Sequence, residues 1–85
     1  MKTIWKFELL LSGRPQEVKM PANASIVHFS MQGDVPCFWA YVDPEVIREN
    51  RYFAIHGTGH PIPDDRGYRG TCQHGAFVWH LFEQL

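Results

Sequence analysis

The sequence predicts a mainly β fold, a small antiparallel β-sandwich or partly open barrel of about seven short strands with one short connector helix. Apolar and polar residues alternate with a period of two through most of the chain, as in strands with one buried face. The long helical segments that parallel crossovers require are missing, so strand pairing should be mainly antiparallel. The chain has 85 residues, too few for two cores, and a single domain over residues 1–85 is expected.

The chain should open with a hairpin. Apolar residues alternate with mostly polar ones from Trp5 to Leu11, which predicts a first strand. Residues 12–15, Ser-Gly-Arg-Pro, have the composition of a tight turn. Alternation resumes from Glu17 to Met20, and this second strand is expected to pair with the first.

Two further strands should follow, joined by the turn Gly33-Asp34. In the strand from Ile26 to Gln32, Val27 and Phe29 should share one face. The strand from Val35 to Val42 is apolar on both faces, so it is expected to be central.

Residues 43–50 form the only segment with helical character. Asp43 is a suitable N-cap and Pro44 suits the first helical position, which predicts the short connector helix. A strand should follow from Arg51 to His56.

The segment from Gly57 to Gly67 holds three glycines and two prolines in eleven residues, and it should be an irregular loop. The last two strands should run over residues 68–73 and 76–83, with His74-Gly75 as the turn between them. The residues predicted to form the core are Trp5, Phe7, Val27, Phe29, Trp39, Phe53 and Ile55.

Charge and hydropathy restrict the function classes. Eight Lys and Arg against nine Asp and Glu leave a net charge of −1, which argues against a broad basic surface for nucleic acid or an anionic membrane. No apolar run approaches the roughly 18–20 residues of a membrane span, and the N-terminus is too charged for a signal peptide. A cytoplasmic location is therefore expected, with Cys37 and Cys72 as unpaired, buried thiols.

Ordered motifs along nearly the whole chain resemble a family of small uncharacterised phage and prophage proteins. These motifs are Met1–Leu9, Met20-Pro21, Val35–Cys37 with Trp39, Val42–Pro44, Gly57–Ile62, Gly70-Thr71, and His80 with Phe82-Glu83. The resemblance implies a phage accessory protein that works in the cytoplasm of the bacterial host. It implies no functional residues, because the family carries no established activity.

The densest group of residues able to bind a metal lies in and around the glycine-rich loop. It comprises His56, His60, Asp64, Asp65 and His74. The spacing of His56 and His60 would place them on one helix face, but the glycines and proline there prevent a helix. No metal or other cofactor is therefore predicted. An enzyme is also the minority interpretation, because no Ser or Cys has the setting of a presented nucleophile.

The same loop, from Gly57 to Arg69, is the predicted site for a small ligand or a partner. Its glycines can expose backbone N–H groups that bind an anion, while a structural turn or β-bulge is the alternative. The polar residues expected to bind are Thr58, His60, Asp65, Arg66 and Arg69.

The aromatic residues are more numerous than one small core easily encloses, which predicts a second apolar face. Leu10, Phe38, Phe77 or Phe82 should lie on it, and a second copy of the chain would cover it in a homo-oligomer, most simply a dimer. Ordinary packing of two sheets within one chain is the alternative.

Three functions of different classes stay open at this point. The first is a binding protein that acts on the host, by sequestering a nucleotide-like ligand or by occupying a host protein, with anti-defence as the setting. The second is a structural or assembly factor of the phage particle. The third is a metal-assisted hydrolase.

Overall fold

The computed structural model describes residues 1–85 and contains seven β-strands in two antiparallel sheets. The strands are β1 Thr3–Glu8, β2 Gln16–Pro21, β3 Ser25–Gln32, β4 Val35–Val42, β5 Arg48–Gly57, β6 Arg66–His74 and β7 Phe77–Gln84. The first sheet has the order β1-β4-β3 and the second the order β2-β5-β7-β6. The predicted mainly β, antiparallel architecture is confirmed, and the strands do not close into one barrel. The structure contains no helix that could span a lipid bilayer.

The two sheets pack face to face around an aromatic core. Phe38 of β4 and Phe53 of β5 meet between the sheets with ring centroids 4.6 Å apart. Along one side of this sandwich-like structure, β3 lies against β6 without pairing to it. The buried core residues are Leu9, Met20, Ala24, Phe29, Phe38, Ala40, Val42, Phe53, Ile55 and Leu81.

The predicted connector helix is absent. Asp43 does cap a turn, because its carboxylate accepts a hydrogen bond from the Glu45 N–H at 3.0 Å. However, β5 already begins at Arg48, where it pairs with Pro21 of β2. Sheet pairing thus takes up residues 48–50, and the remaining five residues are too few to form a stable helix.

The predicted opening hairpin is also wrong, since β1 and β2 lie in different sheets. β1 pairs with β4, and the Leu9 N–H continues that pairing by donating to the Pro36 carbonyl at 2.9 Å. The chain then crosses to the second sheet, where the Ile55 N–H donates to the Ser12 carbonyl at 2.8 Å. The turn-like composition of residues 12–15 therefore serves a crossing between sheets.

The predicted core is correct in part. Phe29, Phe53 and Ile55 are buried, and Trp5 and Phe7 are half-buried against the core.

Val27 and Trp39 were wrongly expected in the core. Val27 is 54 % exposed because a bulge between Ile26 and His28 shifts the alternation of β3 by one residue. Trp39 is half-buried on the outer face of its sheet, beside exposed His28, while its neighbour Phe38 occupies the core.

The expected second apolar face is only partly recognisable. Leu10 and Phe77 are exposed, but Phe38 lies in the core, and Phe82 is half-buried in edge-to-face contacts with His56 and Tyr68. Both cysteines are free, as expected; Cys37 is buried, whereas Cys72 is only half-buried.

Candidate functional site

The glycine-rich loop connects two strands that are not neighbours. β7 lies between β5 and β6, so the loop must travel from Gly57, opposite Trp79, to Arg66, opposite Gln84. This explains why residues 58–65 form a longer connection than a hairpin needs. The predicted loop extended to Arg69, but its last four residues belong to β6.

The first end of the loop forms a tight turn. The His60 N–H donates to the Gly57 carbonyl at 3.1 Å, and Gly59 adopts a φ of 85° that favours glycine. The His60 ring lies directly over Gly57, where a Cβ atom would stand 2.9 Å from its Nδ1. The absence of a side chain at Gly57 therefore allows His60 to occupy this position.

A groove of about 310 Å³ lies between this turn and the start of β7. We call it the aromatic groove; its lining residues are Gly57, Thr58, His60, Ala76, Phe77, Val78 and Trp79. Phe77 stacks on Trp79, with ring centroids 5.6 Å apart and planes 22° apart, yet the Phe77 residue is 63 % exposed. No Lys, Arg, Asp or Glu side chain lines the groove.

Thr58 is held at the aromatic groove by a chain of hydrogen bonds across the outer face of the second sheet. Its Oγ1 lies 2.8 Å from His80 Nε2, and His80 Nδ1 lies 2.9 Å from Thr71 Oγ1. Thr71 Oγ1 lies in turn 2.6 Å from the Tyr68 hydroxyl. Both ring nitrogens of His80 are therefore engaged, and His80 positions Thr58 instead of offering a free base.

The other end of the loop is fixed by Asp65. Its carbonyl accepts from the Leu85 N–H at 2.8 Å, and its carboxylate accepts from Gln84 Nε2 at 3.1 Å. The hydrogen bond from Gln84, together with the adjacent Arg66, holds the pKa of Asp65 below its usual value.

Arg66 forms an ion pair with Asp65, and its side chain is only 7 % exposed. Its Nε is buried without a hydrogen-bond partner. Since the guanidinium is covered and its charge is paired, Arg66 does not present a free cation to an anionic ligand at the loop.

Arg69 is directed away from the aromatic groove. A bulge between Tyr68 and Gly70 displaces it from the regular register, and its Nε donates to Glu83 Oε1 at 2.9 Å. Arg51 binds the same carboxylate through its Nε at 2.7 Å and its Nη2 at 2.8 Å. Arg51, Arg69 and Glu83 thus form a separate cluster, which we call the Glu83 triad.

The Glu83 triad is electrostatically coupled. Burial acts to raise the pKa of Glu83, but hydrogen bonds and charge from Arg51, followed by those from Arg69, outweigh burial and hold that pKa below its usual value. The hydrogen bond to Glu83 correspondingly raises the pKa of Arg51. The arrangement indicates a structural role for Arg69.

The five candidate metal-binding residues are dispersed. His56 is buried, its ring packs edge-to-face on Phe82, and burial together with the charges of Arg66 and His60 lowers its pKa. His74 Nε2 lies 3.3 Å from Oδ1 of Asp34, which belongs to the turn between β3 and β4. No three His, Cys, Asp or Glu side chains meet in an arrangement that could hold a metal ion.

The structure therefore divides the five predicted site residues into three groups. Thr58 and His60 line the aromatic groove, Asp65 and Arg66 pair at the far end of the loop, and Arg69 belongs to the Glu83 triad.

Sequence reasoning missed Phe77, Trp79 and His80 as part of this site. The available signal was Phe77, a large apolar residue only two positions after the turn residue Gly75, where side chains are often exposed.

A second, smaller groove of about 220 Å³ lies elsewhere, among Lys2, Ala22, Asn23, Ser25, Tyr41, Asp43 and Val46. Lys2 Nζ stands 5.2 Å from the centroid of the Tyr41 ring at this place. We call it the Tyr41 groove. Most of its lining residues are charged or polar, whereas the lining of the aromatic groove is mainly apolar.

Fold and site together define a small two-sheet β protein with one exposed aromatic groove beside a glycine-rich turn. The chain belongs to the family described as "Domain of unknown function (DUF7352)", whose sequence model matches residues 1–85. This match agrees with the predicted resemblance as far as it concerns an uncharacterised family. Comparisons with curated proteins and with solved structures gave no match.

Proposed function

We propose that this protein is a small phage-encoded accessory protein that acts by binding in the bacterial cytoplasm, with the aromatic groove as its site for a host protein. The motif resemblance given above supports the phage origin and the bacterial setting. The observation that carries the binding site is Phe77, 63 % exposed and stacked on Trp79 in the wall of the groove.

The exposed Phe77 ring, stacked on the half-buried Trp79, is suited to binding an apolar side chain of another protein. Burying an aromatic residue removes about 150–250 Å² from water, and such residues dominate the energetics of interfaces. The aromatic groove, at about 310 Å³, has the volume of a small binding pocket. Thr58 and His60 supply hydrogen-bonding groups at its border, which would orient the partner.

The charges near the loop favour a protein over an anionic small molecule. Arg66 is paired with Asp65, and Arg69 with Glu83, so neither guanidinium is free to bind a phosphate. An apolar anchor residue of a host protein needs no such cation. Occupying a host defence protein in this way is the anti-defence role that we propose.

The test compares two variants in infected bacteria. The tagged protein is purified from cells with the wild-type chain, with Phe77→Ser, or with Tyr41→Ser, which removes the aromatic ring of the Tyr41 groove. We expect Phe77→Ser to lose both the captured host protein and the benefit to phage yield, while Tyr41→Ser keeps both. Retention of partner and benefit by a folded Phe77→Ser variant would overturn the proposal.

A nucleotide-like ligand is the second candidate, favoured by one specific observation. The exposed Phe77 ring offers a stacking surface for a base, and the Thr58 hydroxyl is fixed nearby by His80. Titration of nucleotides with tryptophan fluorescence as the readout would detect this binding, and Trp79→Phe would show whether the signal arises in the groove. Saturable binding that also displaces the host protein would favour this candidate.

A further inference from the structure

The four edge strands of the two sheets differ in how well they are protected. β3 and β6 lie against each other, and each carries a bulge. β2 ends at Pro21 and directly follows Pro15. Bulges, prolines, covering segments, short strands and charged side chains are the means by which proteins prevent pairing at an edge.

β1 has no bulge and no proline, and its protection is limited to its length of six residues and its charged side chains, Lys6 and Glu8. It contains neither proline nor glycine, and its residues from Thr3 to Glu8 pair with β4 without any register shift. Trp5 and Phe7 of this strand are only half-buried, although they pack against the core. An edge strand without bulge or proline, with incompletely covered aromatic residues, is open to pairing with another chain.

Backbone polarity defines which groups this edge offers. The Leu9 N–H points to β4, because it donates to the Pro36 carbonyl. In a regular strand the direction alternates, so the N–H and C=O groups of Ile4, Lys6 and Glu8 point outward. The outward groups of Leu10 are already taken, since its N–H and C=O bind the Gln16 side-chain amide at 2.7 and 2.6 Å. The free edge therefore ends before Leu10.

These groups suit a second copy of the same strand in antiparallel pairing. With a two-fold axis at Trp5, Ile4 lies directly across from Lys6 of the second copy. Both residues have outward N–H and C=O groups, so they can form a hydrogen-bonded pair. In the same register, Lys2 lies across from Glu8 of the second copy, and these two side chains carry opposite charges. The two Trp5 side chains meet across the axis at a non-hydrogen-bonded pair, where side chains approach most closely.

Neighbouring registers are less favourable. An axis at Lys6 places the two Lys6 side chains directly across from each other, and the repulsion between these like charges destabilises the pairing. An axis at Phe7 places Lys6 across from Glu8 of the second copy. However, it also requires Ile4 to pair with Leu10, whose outward N–H and C=O already bind the Gln16 side chain.

We propose that the free edge of β1 is a homodimer interface, in which two copies join their three-stranded sheets into one six-stranded sheet about an axis at Trp5. This surface differs from the apolar face that the sequence predicted around Leu10, Phe38, Phe77 or Phe82, and it does not depend on the aromatic groove. Failure of the Phe77 experiment would leave it untouched.

The test is the oligomeric state of the purified full chain, measured by light scattering and sedimentation at about 100 μM, where micromolar association is readily detected. We expect a dimer for the wild type. Lys6→Pro removes an outward N–H without removing a bond to β4, so this variant should be a folded monomer. Lys6→Ala is the matched control, because it keeps the backbone N–H, and it should remain dimeric.

Charge exchange tests the register and does not depend on the proline variant. Glu8→Lys should weaken the dimer by about three- to tenfold in Kd, and adding Lys2→Glu should restore it. A monomeric wild type would overturn the proposal. So would a Kd unchanged by Glu8→Lys, or a dimer that persists in folded Lys6→Pro, since each outcome places any association elsewhere.

Discussion

Replacing Glu83 with glutamine should lower the free energy of unfolding by about 3 kcal/mol. Glutamine keeps the size of the side chain, but it removes the only negative charge between Arg51 and Arg69. It also turns an NH₂ donor toward guanidinium groups that have no acceptor capacity. The variant therefore leaves two neighbouring cations without their shared anion.

The magnitude follows from the exposure of each arm of the triad. The Arg51 side chain is 15 % exposed and donates two short hydrogen bonds to Glu83, so this arm should account for about 2–3 kcal/mol. The Arg69 side chain is 30 % exposed, and solvent screening limits its share to about 1 kcal/mol or less.

Thermal and urea denaturation provide the assay. For a domain of this size, 3 kcal/mol corresponds to a fall in Tm of about 12–24 °C. Glu17→Gln is the matched control, since it removes an exposed carboxylate and should change the unfolding free energy by about 0.5 kcal/mol or less. Equal Tm values for the two variants would refute the reasoning that the triad stabilises the fold.

The pH dependence provides a second readout for the same variant. The pKa of Glu83 lies below its ordinary value of 4.5 in the folded protein, so the triad contributes fully above that pH. As the pH falls from 4.5 through the folded-state pKa, protonation removes this contribution. Glu83→Gln has no such proton to take up, and its stability should decline less steeply with acid.

Three further results are expected. The pKa of His56 is lowered by burial from its ordinary value of 6.5, so this residue binds a proton more readily in the unfolded chain than in the folded protein. The free energy of unfolding should therefore decrease as the pH falls below that value. His56→Phe should weaken this pH dependence, measured by urea titrations at several pH values. Phe38→Ala should cost about 3–5 kcal/mol, whereas Trp39→Ala, which removes a half-buried outer-face residue, should cost less than half as much in the same assay. Gly57→Ala would place a Cβ 2.8 Å from His60 Cε1, so it should displace that ring and weaken capture of the proposed partner protein, while circular dichroism stays that of a β protein.

Local sequence patterns predicted much of the strand content but not all of the pairing. Alternation located all seven strands to within a few residues. The opening hairpin failed because turn composition at residues 12–15 is a local signal, whereas the partner of β1 is the distant β4. The connector helix failed for the same reason, because pairing with β2 draws Arg48 into a strand.

The candidate site was predictable in its position and less so in its side chains. Glycines and prolines identified the loop, and Thr58 and His60 do line a groove. Arg69 could not be assigned, because its partner Glu83 lies 14 positions away and is brought near by the bulge in β6. The exposure of Val27 could not be predicted either, because the alternation of apolar and polar residues does not reveal where a bulge occurs.

The position of β7 between β5 and β6 sets the order in which the nascent chain can fold. β5 can pair with β2 as soon as both have left the ribosome, but β6 cannot take its place in the second sheet until β7 has been synthesised and inserted between β5 and β6. Until then the core that contains Phe53 and Ile55 lacks Leu81 of β7. Assembly from such distant contacts is slow and exposes apolar surface. Ribosome pausing before residue 77 should therefore increase the dependence of this protein on chaperones.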